Sequence, residues 1–156
     1  MPKISRAWRI VKKRFAESAF DGEGARRYGG RWNSLGSAVV YASETRALAI
    51  LEVLAGLRSV KAISGYVLIS VTFDDSLITS VEPDELPGDW RESPPRPSTQ
   101  RIGDDWASRK SSAILRAPSA IVPEEFNYLL NPAHRDFERV QIGTPQDLTV
   151  DPRLLA

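Results

Sequence analysis

Short apolar runs of strand length recur along the whole chain, whereas only one segment has the pattern of a helix. The longest run, over 65–73, is rich in β-branched and aromatic residues. Shorter runs of this kind occupy 7–11, 38–42, 113–117, 120–122, 126–130 and 137–142. The helical pattern begins after Ser43, a suitable N-cap, and continues to about Leu57. Many strands and few helices predict the α+β class with a mixed β-sheet core.

Two segments interrupt this succession of strands. Residues 12–36 hold five of the ten glycines and follow neither the helical nor the strand period, which predicts an irregular region. Irregular stretches of this length inside a compact domain are usually functional. Residues 82–100 hold five of the eleven prolines and predict an excursion loop, followed by a helical turn over 104–110. At 156 residues, we expect one domain spanning 1–156.

The composition restricts the chemistry. The chain has no cysteine and one histidine, His134, which excludes disulfides, cysteine nucleophiles and multi-histidine metal sites. A Ser–His–Asp triad is disfavoured, because no nucleophile-elbow sequence occurs, and we expect no metal. No apolar run approaches the roughly 20 residues of a membrane span, and the first residues lack the apolar core of a signal peptide. We therefore expect a cytoplasmic protein without membrane contact.

The charges are unevenly distributed. The formal net charge is +1, but residues 1–31 carry nine basic and three acidic side chains, whereas residues 74–92 carry one basic and seven acidic ones. A basic segment suits a phosphate-bearing ligand or a nucleic acid. The simpler interpretation, which we favour on charge alone, is that the two blocks face solvent or each other. Because the whole chain lacks a basic field, we expect no direct nucleic-acid binding.

The glycine-rich region contains one motif that fails as a dinucleotide-binding fingerprint and another that favours a phosphate or nucleotide site. Residues 22–27 carry two glycines of a dinucleotide-binding fingerprint, but Arg27 replaces the third, no strand leads directly into the motif and no helix is expected after it. Residues 26–33 combine three arginines and two glycines with Tyr28 and Trp32. Guanidinium groups bind phosphates, and aromatic rings can stack on a base or nicotinamide. This combination favours a phosphate or nucleotide site over a solvated turn.

Glu52 is the least expected residue in the helical segment. Its neighbours one helical turn away are all small or apolar: Leu48, Ala49, Ala55 and Gly56. No cation is placed to pair with it, so the carboxylate is either functional or lies at a helix edge that reaches water. Tyr41 ends the preceding strand and should lie near this helix. Ser119 follows Pro118 between two apolar runs, where a serine usually bonds to the local backbone.

Together these segments resemble the RES-domain family, the toxins of RES–Xre toxin–antitoxin pairs. The resemblance is carried, in the order expected for the family, by residues 24–26, 29–33, 39–42, 47–54, 115–120 and 127–134. It implies an ADP-ribosyltransferase-like fold and NAD as the substrate. The catalytic residues that it implies are Arg31, Tyr41, Glu52 and Ser119. Ser112 is the alternative for the family serine, and Arg9 is implied as a further ligand-binding arginine.

The implied reaction suits the residues available. Cleavage of the nicotinamide–ribose bond builds oxocarbenium-like positive charge, and nicotinamide leaves without a strong general acid. Glu52 would stabilise that charge. Arg31 would clamp the diphosphate, and Tyr41 would stack on the nicotinamide or ribose. Ser119 would bond to the nicotinamide side.

Several points stay open at this stage. The acceptor is water in a glycohydrolase, phosphate in a phosphorylase, or a protein side chain in a mono-ADP-ribosyltransferase. The resemblance implies an Xre-type antitoxin as partner, with a homodimer possible inside the complex. The main rival is a non-catalytic nucleotide- or RNA-binding module that uses the basic segment with Tyr28 and Trp32. That alternative does not explain why the unpaired Glu52 lies among small and apolar residues.

Overall fold

Within residues 2–155, the part of the chain that the computed structural model describes, eight strands form one mixed sheet accompanied by three α-helices. The strands are β1 (Ile4–Lys12), β2 (Val40–Ser43), β3 (Tyr66–Asp74), β4 (Ile78–Ser80), β5 (Ile114–Pro118), β6 (Phe126–Leu130), β7 (Gln141–Ile142) and β8 (Gln146–Asp147). The helices are α1 (Glu23–Tyr28), α2 (Arg46–Gly56) and α3 (Pro97–Arg109). The predicted α+β class is confirmed.

The sheet is open near its middle, between the neighbouring strands β1 and β2. The order is β4-β5-β6-β2-β1-β3-β7, with β8 also paired to β3. Strands β1 and β3 pair along their full length, from Ile4 opposite Asp74 to Lys12 opposite Tyr66. In contrast, β1 and β2 share the single pair Trp8–Ser43. The two strands therefore diverge beside this pair, and the gap between them is available to a ligand.

Helix α2 covers this part of the sheet. Its buried face carries Leu48 and Ala49, and it packs on β1 and β2. Its N-cap is Thr45, whose hydroxyl oxygen accepts a hydrogen bond from the backbone N–H of Leu48 at 3.0 Å. Ser43 was the predicted cap, but it is the buried last residue of β2. Two further residues lie between the strand and the helix.

Some strands were predicted well and two were not. The runs over 7–11, 65–73, 113–117 and 126–130 became β1, β3, β5 and β6, and the run over 38–42 became β2 shifted by one to two residues. Residues 120–122 lie in the bent connection between β5 and β6 instead of a strand. Residues 135–139 form a 3-10 helix capped by the His134 side chain, so that only 141–142 of the predicted last strand join the sheet. An apolar run of three residues does not distinguish a strand from a connecting segment, and Ile121 is in fact 38% exposed.

The helices outside α2 were underestimated. Helix α1 lies within the region predicted to be irregular, where no helix was expected after the glycine motif. The predicted turn over 104–110 is the end of α3, a helix of 13 residues. This helix starts at Pro97. A proline is well tolerated at the first position, because the N–H that it lacks would have no partner inside the helix. The remaining part of the excursion, residues 82–96, is called the proline-rich loop below.

Replacement of Gly103 by alanine is expected to destabilise the protein by about 3 kcal/mol. A Cβ at this position of α3 would overlap the backbone carbonyl of Trp32, and neither backbone can move aside easily. Gly56→Ala is the control, because a Cβ there meets none of the described residues within 4 Å. That variant should be neutral or gain up to about 1 kcal/mol. Urea denaturation measures both, and equal stabilities of the two variants would contradict the expectation.

Candidate functional site

A cleft of about 400 Å³ occupies the gap between β1 and β2. Its lining includes four of the five site residues that the family resemblance implied, namely Arg9, Arg31, Tyr41 and Glu52. Ser119 lies directly behind Glu52, and its neighbour Ala120 lines the cleft. The fold therefore brings all five predicted residues to one place from five different parts of the chain.

Two side chains from outside its helix hold the half-buried Glu52. Its Oε2 accepts a hydrogen bond from Ser119 Oγ at 3.0 Å and another from Asn127 Nδ2. Asn127 is fixed in turn, because its Oδ1 accepts from Ser43 Oγ at 2.6 Å. No donor among residues 2–155 contacts the second oxygen, Oε1, in a side chain that lines the cleft. The carboxylate is thus held in one orientation with one oxygen left for a ligand.

The two candidate serines lie in different places. Ser119 is fully buried, and its Oγ accepts from the backbone N–H groups of Ile121 and Val122, both at 3.1 Å. This fixes the turn after β5 and directs the hydroxyl proton to Glu52. Ser112 lies at the opposite end of β5, beside another cavity, where Trp106 Nε1 donates to its Oγ at 2.8 Å. Only the surroundings of Ser119 include Glu52.

The Tyr41 hydroxyl is hydrogen-bonded to two residues of the glycine-rich region. It donates to Asn33 Oδ1 at 2.6 Å and accepts from the backbone N–H of Trp32 at 3.0 Å. Burial raises the pKa of Tyr41, so the phenol stays neutral at physiological pH. Gly30 allows this contact, because a Cβ there would lie 2.7 Å from the Tyr41 hydroxyl oxygen. The ring of Tyr41, and not its hydroxyl, is the part available to a ligand.

Arg9 bridges the two diverging strands. Its Nε donates to the Ala19 carbonyl at 2.7 Å, and its Nη1 donates to the Tyr41 carbonyl at 2.9 Å. Burial lowers the pKa of Arg9 to about 10, and the charge of Asp21 partly opposes this, so the group stays cationic at neutral pH. The bond to Tyr41 links β1 to β2 where the sheet is open, and the bond to Ala19 links β1 to the loop after it. Nη2 makes no hydrogen bond to residues 2–155, so it is available for the predicted ligand role.

Arg31 connects the cleft to the proline-rich loop. Its Nη1 donates to the carbonyls of Trp90 at 2.9 Å and Glu92 at 2.7 Å. Partial burial lowers the pKa of Arg31, and the nearby charge of Glu52 opposes that shift. The Nε and Nη2 atoms make no hydrogen bond to residues 2–155. These two atoms form one edge of the guanidinium, and such an edge has the geometry to bind two oxygens of a phosphate.

Trp32 does not offer the stacking face that the sequence suggested. Its side chain is 1% exposed and packs in the core, with its ring centroid 6.0 Å from that of Trp90. Tyr28 lies on α1 and is 81% exposed. The two aromatic residues therefore do not form a joint platform for bases, which removes one support of the RNA-binding alternative.

The sequence reasoning assigned no role to Asn127, which lines the cleft, or to Asn33, which accepts from the Tyr41 hydroxyl behind it. Asn127 holds Glu52, and Asn33 is fully buried with its Nδ2 donating to the Ala25 carbonyl at 2.9 Å. A signal was available for Asn127, which is the one strongly polar residue in the apolar run Phe-Asn-Tyr-Leu-Leu. A side-chain amide in a buried strand needs hydrogen-bond partners, so its presence indicates a functional site or a buried polar network.

The single histidine lies outside the cleft. His134 Nδ1 accepts a hydrogen bond from the backbone N–H of Asp136 at 2.9 Å, which caps the 3-10 helix. Among residues 2–155, no three His, Asp or Glu side chains are grouped so that they could hold a metal ion. In the same part of the chain, no helix is both long and apolar enough to cross a membrane.

Comparisons with known proteins agree with one another. The RES domain pattern matches residues 6–151. A protein named Toxin Res from Yersinia enterocolitica is 38% identical over 148 residues, which cover 94% of this chain and 97% of the relative. A protein named Prs ADP-ribosylating toxin from Sphingobium is 37% identical over 153 residues, covering 95% of each chain. In the solved structure of the MbcT–MbcA toxin–antitoxin complex of M. tuberculosis, one chain shares the fold, with a TM-score of 0.74 at 20% identity over 96% of this chain and 86% of that one.

Proposed function

This chain belongs to the RES domain family, whose relatives above are bacterial toxins, and we propose that it cleaves the nicotinamide–ribose bond of NAD. The main support is the Glu52 carboxylate, which Ser119 and Asn127 hold in a cleft that also carries two arginines. The name of the Sphingobium relative, an ADP-ribosylating toxin, supports NAD as the substrate class. A fixed anion beside cationic groups suits a substrate with a cationic ribosyl centre and an anionic diphosphate.

The reaction requires charge stabilisation more than proton transfer. The bond between ribose C1′ and the pyridinium nitrogen breaks, and its electron pair stays on the nitrogen, so nicotinamide leaves as a neutral molecule. The ribose gains oxocarbenium-like positive charge, which Glu52 Oε1 stabilises. Ser119 and Asn127 keep the carboxylate from rotating away. A nucleophile then forms the new bond to C1′, and when this is water it releases one proton.

The rest of the cleft positions the substrate. Arg31 uses its Nε–Nη2 edge to bind the diphosphate, while Nη1 stays on the loop carbonyls. The ring of Tyr41 lies against the nicotinamide or ribose, because its hydroxyl is occupied by Asn33 and Trp32. Arg9 offers Nη2 to the ligand from the base of the gap.

The acceptor decides between two candidate functions. With water or phosphate the chain is an NAD glycohydrolase or phosphorylase, which is our first proposal. With a protein side chain it is a mono-ADP-ribosyltransferase, and the name of the Sphingobium relative favours this second candidate. The same cleft serves both, because the step at Glu52 is common to them.

Product analysis tests the proposal. Purified protein is incubated with NAD alone, with added phosphate, and with a bacterial extract and labelled NAD, and NMR and autoradiography identify the products. ADP-ribose, a phosphorylated ADP-ribose, or a labelled protein identifies the respective acceptor. Absence of nicotinamide release under all three conditions would overturn the proposed activity.

An antitoxin partner is the further part of the proposed function. The structure that shares this fold is that of a toxin–antitoxin complex, and such an enzyme would consume the NAD of its own cell unless held inactive. We propose that an Xre-type antitoxin covers the cleft near Arg31 and competes with NAD, with a homodimer of this chain inside the complex. NAD affinity is measured at rising antitoxin concentration. Simultaneous binding with unchanged affinities would contradict occlusion.

Replacement of Ser119 by alanine is expected to lower the rate of nicotinamide release about 10- to 100-fold, because Glu52 loses one of its two fixed partners. Ser112→Ala is the matched control, since Ser112 is also buried and hydrogen-bonded but lies far from Glu52. Both variants should unfold at lower temperature than the parent, and only Ser119→Ala should lose turnover per folded molecule. The reverse result would assign the family serine to Ser112.

A further inference from the structure

The proline-rich loop carries a second arginine at the rim of the cleft. Arg91 Nε donates to the carbonyl of Ala120 at 2.9 Å, and Ala120 lines the cleft. The loop residues on either side, Trp90 and Glu92, accept from Arg31 Nη1 through their carbonyls. Two guanidinium groups therefore connect the same short stretch of loop to the cleft, one from each side.

Neither of these two arginines forms an ion pair within residues 2–155. No carboxylate oxygen of residues 2–155 lies within 4.0 Å of either guanidinium. The acids of the loop are engaged elsewhere, because Asp89 and Glu92 pair with Arg96 at 3.6 and 3.1 Å. Burial is the main cause that lowers the pKa of Arg31, the charge of Glu52 opposes this shift, and the charge of Arg91 adds a smaller lowering. Two guanidinium groups on one short stretch of loop, neither in contact with a carboxylate, favour the binding of an anion.

The donors that remain free suit a group with two phosphates. Among residues 2–155, no acceptor contacts the Nε–Nη2 edge of Arg31, and Arg91 uses only its Nε, so both of its Nη atoms stay free. Each free edge can grip two oxygens of one phosphate. Backbone carbonyls hold both side chains before any ligand arrives, which reduces the entropy lost on binding.

We propose that Arg91 is a further substrate-binding residue, which holds the diphosphate of NAD together with Arg31. This inference rests on the proposed function, because it takes NAD as the ligand of the cleft. The proline-rich loop then has a direct task in binding, and does not merely cover α3. The ligand group that it recognises is the diphosphate, so ADP should bind by the same contacts.

The test measures ADP binding by calorimetry over a range of salt concentrations. Arg91→Ala should lower the affinity for ADP about 10- to 100-fold. It should also make that affinity depend less on salt concentration, because one cationic contact is lost. Arg91→Lys keeps the charge and should retain most of the salt dependence. Arg58→Ala, an exposed arginine outside the cleft lining, is the control and should bind ADP like the parent.

Two results would overturn the role of Arg91. Unchanged ADP affinity in Arg91→Ala, or no ADP binding by the parent protein, shows that the residue binds no diphosphate. A weaker affinity with an unchanged salt dependence in both Arg91 variants shows that the residue only fastens the loop to Ala120. ADP has no nicotinamide to release, so the outcome is separate from the test of NAD cleavage. A protein that binds ADP through Arg91 but never cleaves NAD would refute only the proposed activity.

Discussion

Glu52→Gln is expected to slow nicotinamide release at least about 100-fold while the fold and its unfolding temperature are retained. Glutamine has the shape of glutamate, and its side-chain oxygen can still accept from Ser119 Oγ and Asn127 Nδ2. The variant lacks the negative charge that stabilises the ribosyl cation. Initial rates of nicotinamide release by NMR, combined with thermal unfolding, measure the two effects separately.

A second carboxylate near the same strands provides the control. Glu44 is partly buried and its Oε1 accepts from the backbone N–H of Phe126 at 3.1 Å, but it does not line the cleft. Glu44→Gln removes an equal charge from the same region and should keep the rate of the parent. Wild-type turnover in Glu52→Gln, or an equal loss in both variants, would refute the role assigned to Glu52.

Arg31→Ala is expected to raise the Kd of NAD about 10- to 100-fold, and Arg31→Lys should recover little of this loss. The guanidinium serves two sets of acceptors at once, because Nη1 holds the carbonyls of Trp90 and Glu92 while the opposite edge is free for phosphate. A lysine ammonium is a single point of charge without two edges. Calorimetry with NAD at fixed salt measures the three affinities.

Arg27→Ala is the comparison variant for Arg31. Arg27 lies on exposed α1 and pairs with Glu23 at 3.4 Å, so its loss removes a nearby positive charge without touching the cleft lining. We expect the NAD affinity of the parent in this variant. If Arg31→Lys binds NAD as tightly as the parent, Arg31 acts through its charge alone and is no two-edged clamp.

Much of the framework is predictable because the decisive signals are local. The run of β-branched and aromatic residues that forms β3 identifies a strand in any context, and the small and apolar residues of α2 identify its buried face. The unusual position of Glu52 was also readable, since a carboxylate without a cation at helical spacing stands out. The family resemblance then grouped Glu52 with Arg31, Tyr41 and Ser119.

The remainder depends on contacts between distant parts of the chain. Asn127, which holds Glu52, is 75 residues away from it, and no local pattern announces that pair. The sequence predicted that the Trp32 ring can stack on a base or nicotinamide, yet α3 and the proline-rich loop bury it. The sequence did not indicate a role for Arg91, because this residue lies within an acidic, proline-rich segment. Its position matters only once the loop has folded against Ala120.

The structure of the Glu52→Gln variant with NAD bound tests the central claim most directly, because the variant should hold the intact substrate. We expect NAD in the gap between β1 and β2, with C1′ of the nicotinamide ribose facing the side chain at position 52 and the diphosphate against Arg31. NAD bound outside this cleft, or inside it with the adenine end beside position 52, would contradict the account.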